Sequence, residues 1–311
     1  MILIPLIKKI TELFIMMLFG VISIKAGWLK VSDSKAFSAF SVYVLCPCTI
    51  LSSFQVSIGP SVLPGLAMSF AVCAVSMMMN IIVASVYKKI MHATPVERGS
   101  VIYSNGGNLI LPIVTSLFGV EYTIYVSGFI TVYNLFVWTH GVTLFSGDGG
   151  FRLDKIIKNP SFAAIGVGFI ILLSGLQFPE PLANATSDMG FMIGGIGMFI
   201  TGMIIGGIDI RSIFAKKRIW SVIFLRHILC PLLILFVIKV LRLESCLGKE
   251  GSTILLIAFL SLAAPSGAMM NQFAIMYNRD ADYASAINVL STLLCILTMP
   301  VMVWLFLTIH V

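Results

Sequence analysis

Apolar runs of about 20 residues, separated by short charged linkers, set the terms on which this 311-residue chain can fold. That is the length an α-helix needs to cross a hydrocarbon core, rising about 1.5 Å per residue. Composition agrees with lipid as the solvent. The chain is 59% hydrophobic and 11% charged, with a mean hydropathy of +1.04. A water-facing protein of this size cannot hide so much apolar side chain. The reading is an all-α polytopic membrane protein.

Ten spans are expected, at about 9–27, 36–55, 62–87, 98–118, 122–145, 161–178, 187–207, 219–241, 252–276 and 283–309. Loops on one side carry five basic residues: Lys8, Lys9, Lys239, Arg242 and Lys249. The other side carries fourteen: Lys25, Lys30, Lys35, Lys88, Lys89, Arg98, Arg152, Lys155, Lys158, Arg211, Lys216, Lys217, Arg218 and Arg279. The positive-inside rule puts the second set in the cytoplasm and both termini outside it, with only Lys8 and Lys9 arguing weakly the other way. The net charge of +7 then reflects topology and contact with anionic lipid, and nucleic acid is not implied. Lys8 and Lys9 precede an apolar run with no small-residue cleavage site, so that run reads as a retained helix. Cys46, Cys48, Cys73, Cys230 and Cys295 lie inside apolar runs and Cys246 near a polar loop, which reads as buried thiols.

The chain repeats itself. An offset of about 160 residues lays Gly107 on Gly267, and each glycine sits in a mid-span cluster of helix breakers. The first cluster is Asn105, Gly106, Gly107 and Asn108 with Pro112; the second is Ala264, Pro265, Ser266 and Gly267. Two sets of five spans, 1–150 and 151–311, must have opposite orientations because five is odd. Inverted repeats with matched breaks point to the binding site of a secondary transporter. A broken helix frees backbone N–H and C=O groups, which lipid cannot satisfy, so they face protein or a polar cavity. Half-helix N-termini also suit an anion. For Pro47 or Pro231 alone, a simple kink is the better reading.

With these residues the sequence resembles the auxin efflux carrier family, within the larger group that includes bile-acid and sodium symporters. The resemblance covers essentially the whole chain. It rests most on Asn105-Gly106-Gly107-Asn108 with Pro112, and on Pro265 through Ala274, Tyr277, Asp280, Ala284, Ser291 and Thr292 to Pro300. Gly27 and Pro47 fit as well. The sequence departs from the family pattern at Ile110, where a glycine is common, and around Gly202, where a proline is common. The resemblance implies two inverted five-helix repeats whose broken fourth and ninth helices cross near the bilayer centre. It implies a scaffold of helices 1, 2, 6 and 7, usually dimeric, and a moving transport domain of helices 3–5 and 8–10. Its substrates are small organic acids such as auxin, malate or malonate.

Asn105 and Asn108 are the first candidates for substrate contact, since an amide both donates and accepts; capping of the half-helices is the alternative. Ser266, Asn271 and Gln272 form the counterpart set in the second half. Asn134, Asn288, Ser291 and Thr292 either line the same cavity or bond between helices. Arg226 is a candidate anion contact as an intramembrane charge, or else it snorkels to the near surface. His140 reads as interfacial. Glu12, Asp188 and Asp209 sit near span ends, which weakens obligate proton coupling; coupling to Na+ or H+ stays open, and no cofactor or metal is expected. Gly190/Gly194 and Gly202/Gly206 are small-xxx-small pairs for intrachain packing or a dimer interface. No HExxH, Gly-x-Ser-x-Gly or mid-span Asp pair appears, so an intramembrane enzyme is not expected. A passive channel is the nearer competitor, and a receptor or non-transporting scaffold the more distant one. The expected location is the plasma membrane.

Overall fold

The computed structural model describes residues 3–55, 62–147, 160–208, 216–243 and 250–310. The junction of the two halves at 150/151 lies outside the described residues, as do Arg152, Lys155, Lys158, Asp209, Arg211, Cys246 and Lys249. Among the described residues every named element is helical. The chain runs through α1 (Leu3–Lys25), α2 (Ser34–Phe40), α3 (Cys46–Ser53), α4 (Val62–Met91), α5 (Pro95–Ile102) and α6 (Gly106–Phe118). It continues through α7 (Thr123–Phe136), α8 (Val142–Ser146), α9 (Pro160–Ser174), α10 (Glu180–Gly207) and α11 (Lys217–Phe224). It ends with α12 (Cys230–Val240), α13 (Gly251–Ala263), α14 (Met269–Met276) and α15 (Ala281–His310).

Three of these junctions are not breaks. π turns at Ser41–Leu45, Val137–Gly141 and Leu225–Leu229 carry α2 into α3, α7 into α8 and α11 into α12. Two of the turns have a local cause. Pro47 and Pro231 stand at the second residue of α3 and α12 and have no N–H to donate, so the ladder widens by one residue just before each.

Among the described residues six helices are long and apolar enough to cross a membrane: Val31–Ser52, Val62–Met91, Val120–Ser146, Glu180–Gly207, Lys217–Val240 and Ala281–Ile309. Leu109–Phe118, Pro160–Ser174 and Gly251–Ala263 are apolar but shorter. α1 has the length, but Lys8, Lys9 and Glu12 sit in its first half, where Lys9 pairs with Glu12 at 2.8 Å. It also begins at Leu3, earlier than the expected start near residue 9. Large apolar side chains point outward from several helices, including Phe19 on α1, Leu173 on α9, Phe236 on α12 and Leu297 on α15. Such faces suit lipid and would be a liability in water.

Close packing joins the long helices. A Cβ on Gly20 would overlap the Phe199 carbonyl, and one on Gly202 would overlap the Met17 carbonyl, so α1 and α10 touch backbone to backbone. Gly206 lies against Ile24, Gly190 against Thr49 and Gly194 against the ring of Pro112. All four glycines of the small-xxx-small pairs are thus used inside the chain. α3 packs on α9 and α10, while α4 lies along α7 and against α13.

Candidate functional site: the crossing of two broken helices

The two breaks meet. Non-helical backbone at Tyr103–Asn105 separates α5 from α6, and backbone at Ala264–Ala268 separates α13 from α14. Ser104 and Ser266 form an antiparallel bridge there. Asn105 N–H donates to the Pro265 carbonyl at 2.7 Å, and Gly267 N–H donates to the Tyr103 carbonyl at 2.9 Å. Backbone groups that each helix gave up at its break are therefore paired across the crossing, which meets the demand that buried backbone be satisfied. The Ser104 hydroxyl also donates to the Ser261 carbonyl at 2.9 Å. A side chain at Gly267 would crowd the crossing, because a Cβ would stand 2.9 Å from the Tyr133 hydroxyl and 3.1 Å from the Ser104 carbonyl oxygen.

The breaks sit at the expected places, but three of the residues expected to make them act differently. Gly106 and Gly107 are the first residues of α6, and Pro112 lies inside it. α6 continues through Pro112 with one ladder bond fewer, and the proline ring packs on Gly194. The interruption falls earlier, where pairing with the second break replaces helix bonds.

The C-terminal ends of α5 and α13, which lead into the two breaks, are held by Arg226, which is 1% exposed. Its Nε donates to the Ala264 carbonyl at 3.1 Å and one terminal nitrogen to the Val101 carbonyl at 3.2 Å. The other terminal nitrogen donates to the Leu262 carbonyl. These acceptors belong to the C-terminal ends of α5 and α13, where unpaired carbonyls carry partial negative charge. Snorkelling to the surface is therefore replaced by a buried cation that caps two helices at once. The π turn at Leu225–Leu229 presents Arg226 and the next residue, His227, on this buried side.

His227 completes a second chain of bonds. Thr298 Oγ1 donates to the Leu294 carbonyl at 3.2 Å, so it accepts from His227 Nδ1 at 2.8 Å. A neutral imidazole with its proton on Nδ1 then accepts from Ser291 Oγ at Nε2, at 2.7 Å. Ser291 Oγ in turn accepts the Ser266 N–H at 2.8 Å, and Asn288 Nδ2 donates to the Ser266 carbonyl at 2.7 Å. Ser291 and Asn288 thus hold the second break from α15.

Cavities flank the crossing on opposite sides. One of about 250 Å³ is lined by Ser34, Ser38, Trp138, Ile204, Asn271 and Gln272, among others. Within it, Trp138 Nε1 and Asn271 Oδ1 are buried with no hydrogen-bond partner among the described residues. The other, of about 50 Å³, is lined by Thr49, Ser52, Pro112, Thr115, Ser187 and Gly190, among others. Both lie between the α2–α3 rod with α10 and a broken helix.

The profile of the family described as Membrane transport protein matches residues 5–154 and 149–303. The chain belongs to the auxin efflux carrier family. No curated protein matches it. As a member of this family it is an integral membrane protein of a transporter family.

In this auxin efflux carrier family member the candidate residues fall into three groups. Pro265, Ser266 and Gly267 form the crossing itself, together with Asn105. Asn105 holds the N-cap position of α6 without a side-chain cap bond and is half-buried. Gly107 stands in the first turn of α6, and the side chain of Asn108 is not among those described. Asn271 and Gln272 line the larger cavity, and Pro112 lines the smaller one. Asn134 is buried in α7, and Thr292 is buried in α15 with its hydroxyl lacking a partner among the described residues.

Sequence reasoning missed Tyr103, Ser104, Tyr133, Trp138 and Glu97. Tyr103 donates its hydroxyl to the Phe136 carbonyl at 2.9 Å and lies 2.8 Å from His140 Nδ1. His140 is thereby tied to the crossing. Glu97 is fully buried and takes a forked pair from Arg218, at 2.8 and 2.9 Å, plus the Tyr283 hydroxyl at 3.0 Å. It also closes a capping box with Thr94, and the Thr-Pro-Val-Glu stretch at 94–97 is the sequence signal that finds it.

Proposed function

We propose that this protein is a secondary carrier that moves a small organic anion, such as malate, malonate or an auxin-like carboxylate, by alternating access. The observation that carries the reading is the hydrogen-bonded crossing of two broken helices, with a largely apolar cavity that carries some polar side chains on each side. Carriers need a site reachable from either face in turn, and a crossing of half-helices supplies backbone dipoles at its centre. The unpartnered Asn271 oxygen and Trp138 N–H, with the uncapped Asn105 amide, are polar groups fitted to a carboxylate and its hydroxyl substituents. Arg226 adds positive charge behind the crossing and acts on the anion through the helix ends it caps.

The proposal includes ten spans as two inverted five-helix repeats, a scaffold of helices 1, 2, 6 and 7, and elevator-like movement of the rest. It also includes a homodimer through the scaffold, a plasma-membrane location and both termini outside the cytoplasm. The matched breaks support the inverted repeats, and the charge asymmetry of the loops supports the orientation. The test is counterflow in liposomes reconstituted with the purified chain. Labelled malate or malonate should accumulate against unlabelled substrate and saturate, and Asn105→Ala should lower the initial rate about tenfold or more, the loss of one or two charge-assisted hydrogen bonds. Single-channel conductance would favour the passive-channel reading, and wild-type rates in Asn105→Ala would remove that residue from the site.

A further inference from the structure

A third cavity, of about 380 Å³, lies apart from the two that flank the crossing and shares no lining residue with either. Four parts of the chain build it. They are the end of α4 with Lys88, the first turns of α5 with Arg98, the π turn and α8 with His140 and Thr143, and the α14–α15 turn with Arg279. Three cations and an imidazole face it, and among the described residues no carboxylate lines it. Asp148, next to Gly147, lies outside the described residues; the described acids nearest in sequence to Arg98 and Arg279 are engaged elsewhere. Glu97 is taken by Arg218 and Tyr283, and Asp280 accepts the Tyr283 N–H at 2.9 Å.

The donors are in place. Arg98 Nε is buried and has no hydrogen-bond partner among the described residues. Arg279 is positioned by its Nε, which donates to the Phe145 carbonyl at 2.9 Å, and one of its terminal nitrogens lies beside Gly147 at the cavity wall. Like charges gathered from separate elements repel one another unless an anion fills the space between them. Two guanidinium forks match the oxygens of a phosphate group, and Lys88 supplies a point charge at the rim. The volume falls within the usual range for a small-molecule site, about 300–1,000 Å³.

We propose that this cavity binds a phosphate group, either free in solution or borne by a lipid headgroup. His140 links it to the crossing, since its Nδ1 lies 2.8 Å from the Tyr103 hydroxyl and the Tyr103 carbonyl receives the Gly267 N–H. A bound phosphate ties the ends of α4, α5 and α8 to the α14–α15 turn.

The test is thermal unfolding of the full chain with two arms. In detergent, inorganic phosphate is titrated against chloride at matched ionic strength. In lipid nanodiscs without free phosphate, phosphatidic acid is compared with phosphatidylcholine. Arg98→Gln and the exposed Lys88→Gln are run in both arms; among the described residues Lys88 makes no hydrogen bond or ion pair, so it reads even if Arg98→Gln is poorly folded. A saturable rise with phosphate, weakened about tenfold or more in the variants, establishes the site with free phosphate as its source. The same variant-sensitive rise with phosphatidic acid alone establishes it with the lipid as source. No rise in either arm, or a rise that both variants keep, overturns the proposal. Neither arm reads transport, so this failure is separate from failure of the carrier reading.

Discussion

Arg226 shows how one side chain can be both costly and indispensable. Placing an arginine at the centre of a membrane helix costs about 2.5–3.5 kcal/mol on insertion scales. Here the cost is offset by three hydrogen bonds to carbonyls at the ends of α5 and α13. Each helix end carries about half a negative charge, so two ends balance one guanidinium. The planar fork matters, because a lysine ammonium cannot span acceptors on two helices in the same way. Arg226→Gln should therefore destabilise the folded protein by about 3–5 kcal/mol, and Arg226→Lys by less. Unfolding in detergent measures both, and a glutamine variant as stable as the parent would show that these carbonyls need no cation. Position in the sequence pointed elsewhere, since Arg226 stands only a few residues into its span and snorkelling looked within reach. Its real acceptors come from residues 101, 262 and 264, which no local pattern connects to it.

At the scale of the helix, breaks and glycines have separable roles. Asn, Gly and Pro clusters located both interruptions in the sequence, because those residues weaken helices wherever they occur. The clusters did not show which residue would leave the helix. Pro112 stays in α6, and Tyr103–Asn105 leave it because the second break offers them replacement bonds. Glycine spacing likewise marked α10 as a close-packing helix without naming its neighbour, which is α1. A Cβ on Gly202 would overlap the Met17 carbonyl, whereas one on Gly195 meets only Met16 Sδ at 3.7 Å. Gly202→Ala should thus cost about 1–3 kcal/mol or more through overpacking, and Gly195→Ala should be near neutral or slightly stabilising. Yield of monodisperse protein and its unfolding temperature separate the two. Equal behaviour would mean that α1 and α10 are not in backbone contact.

Across the whole molecule, the α2–α3 rod and α10 form one wall of both flanking cavities. Gly190 and Ile204 line opposite cavities and lie fourteen residues apart on α10 (204 − 190), or about 21 Å of helix. The broken helices α14 and α6 supply the facing walls, and the crossing lies between. In a background with the six native cysteines replaced, Ser38→Cys and Ser187→Cys should react with a membrane-impermeant maleimide from opposite sides. Labelling of both from one side would defeat the alternating-access reading.

Hydropathy and length alone made this a helical membrane protein, because lipid leaves an apolar 20-residue segment few other ways to satisfy its backbone. Breaker residues alone placed the interruptions to within a few positions. Everything that makes the interruptions a site was decided by tertiary contact. Ser104 finds Ser261 across 157 residues of chain, and His227 finds Ser291 across 64. Buried polar groups must bond to whatever the packing brings beside them, and that neighbour is set by how helices cross, which a one-dimensional pattern does not contain.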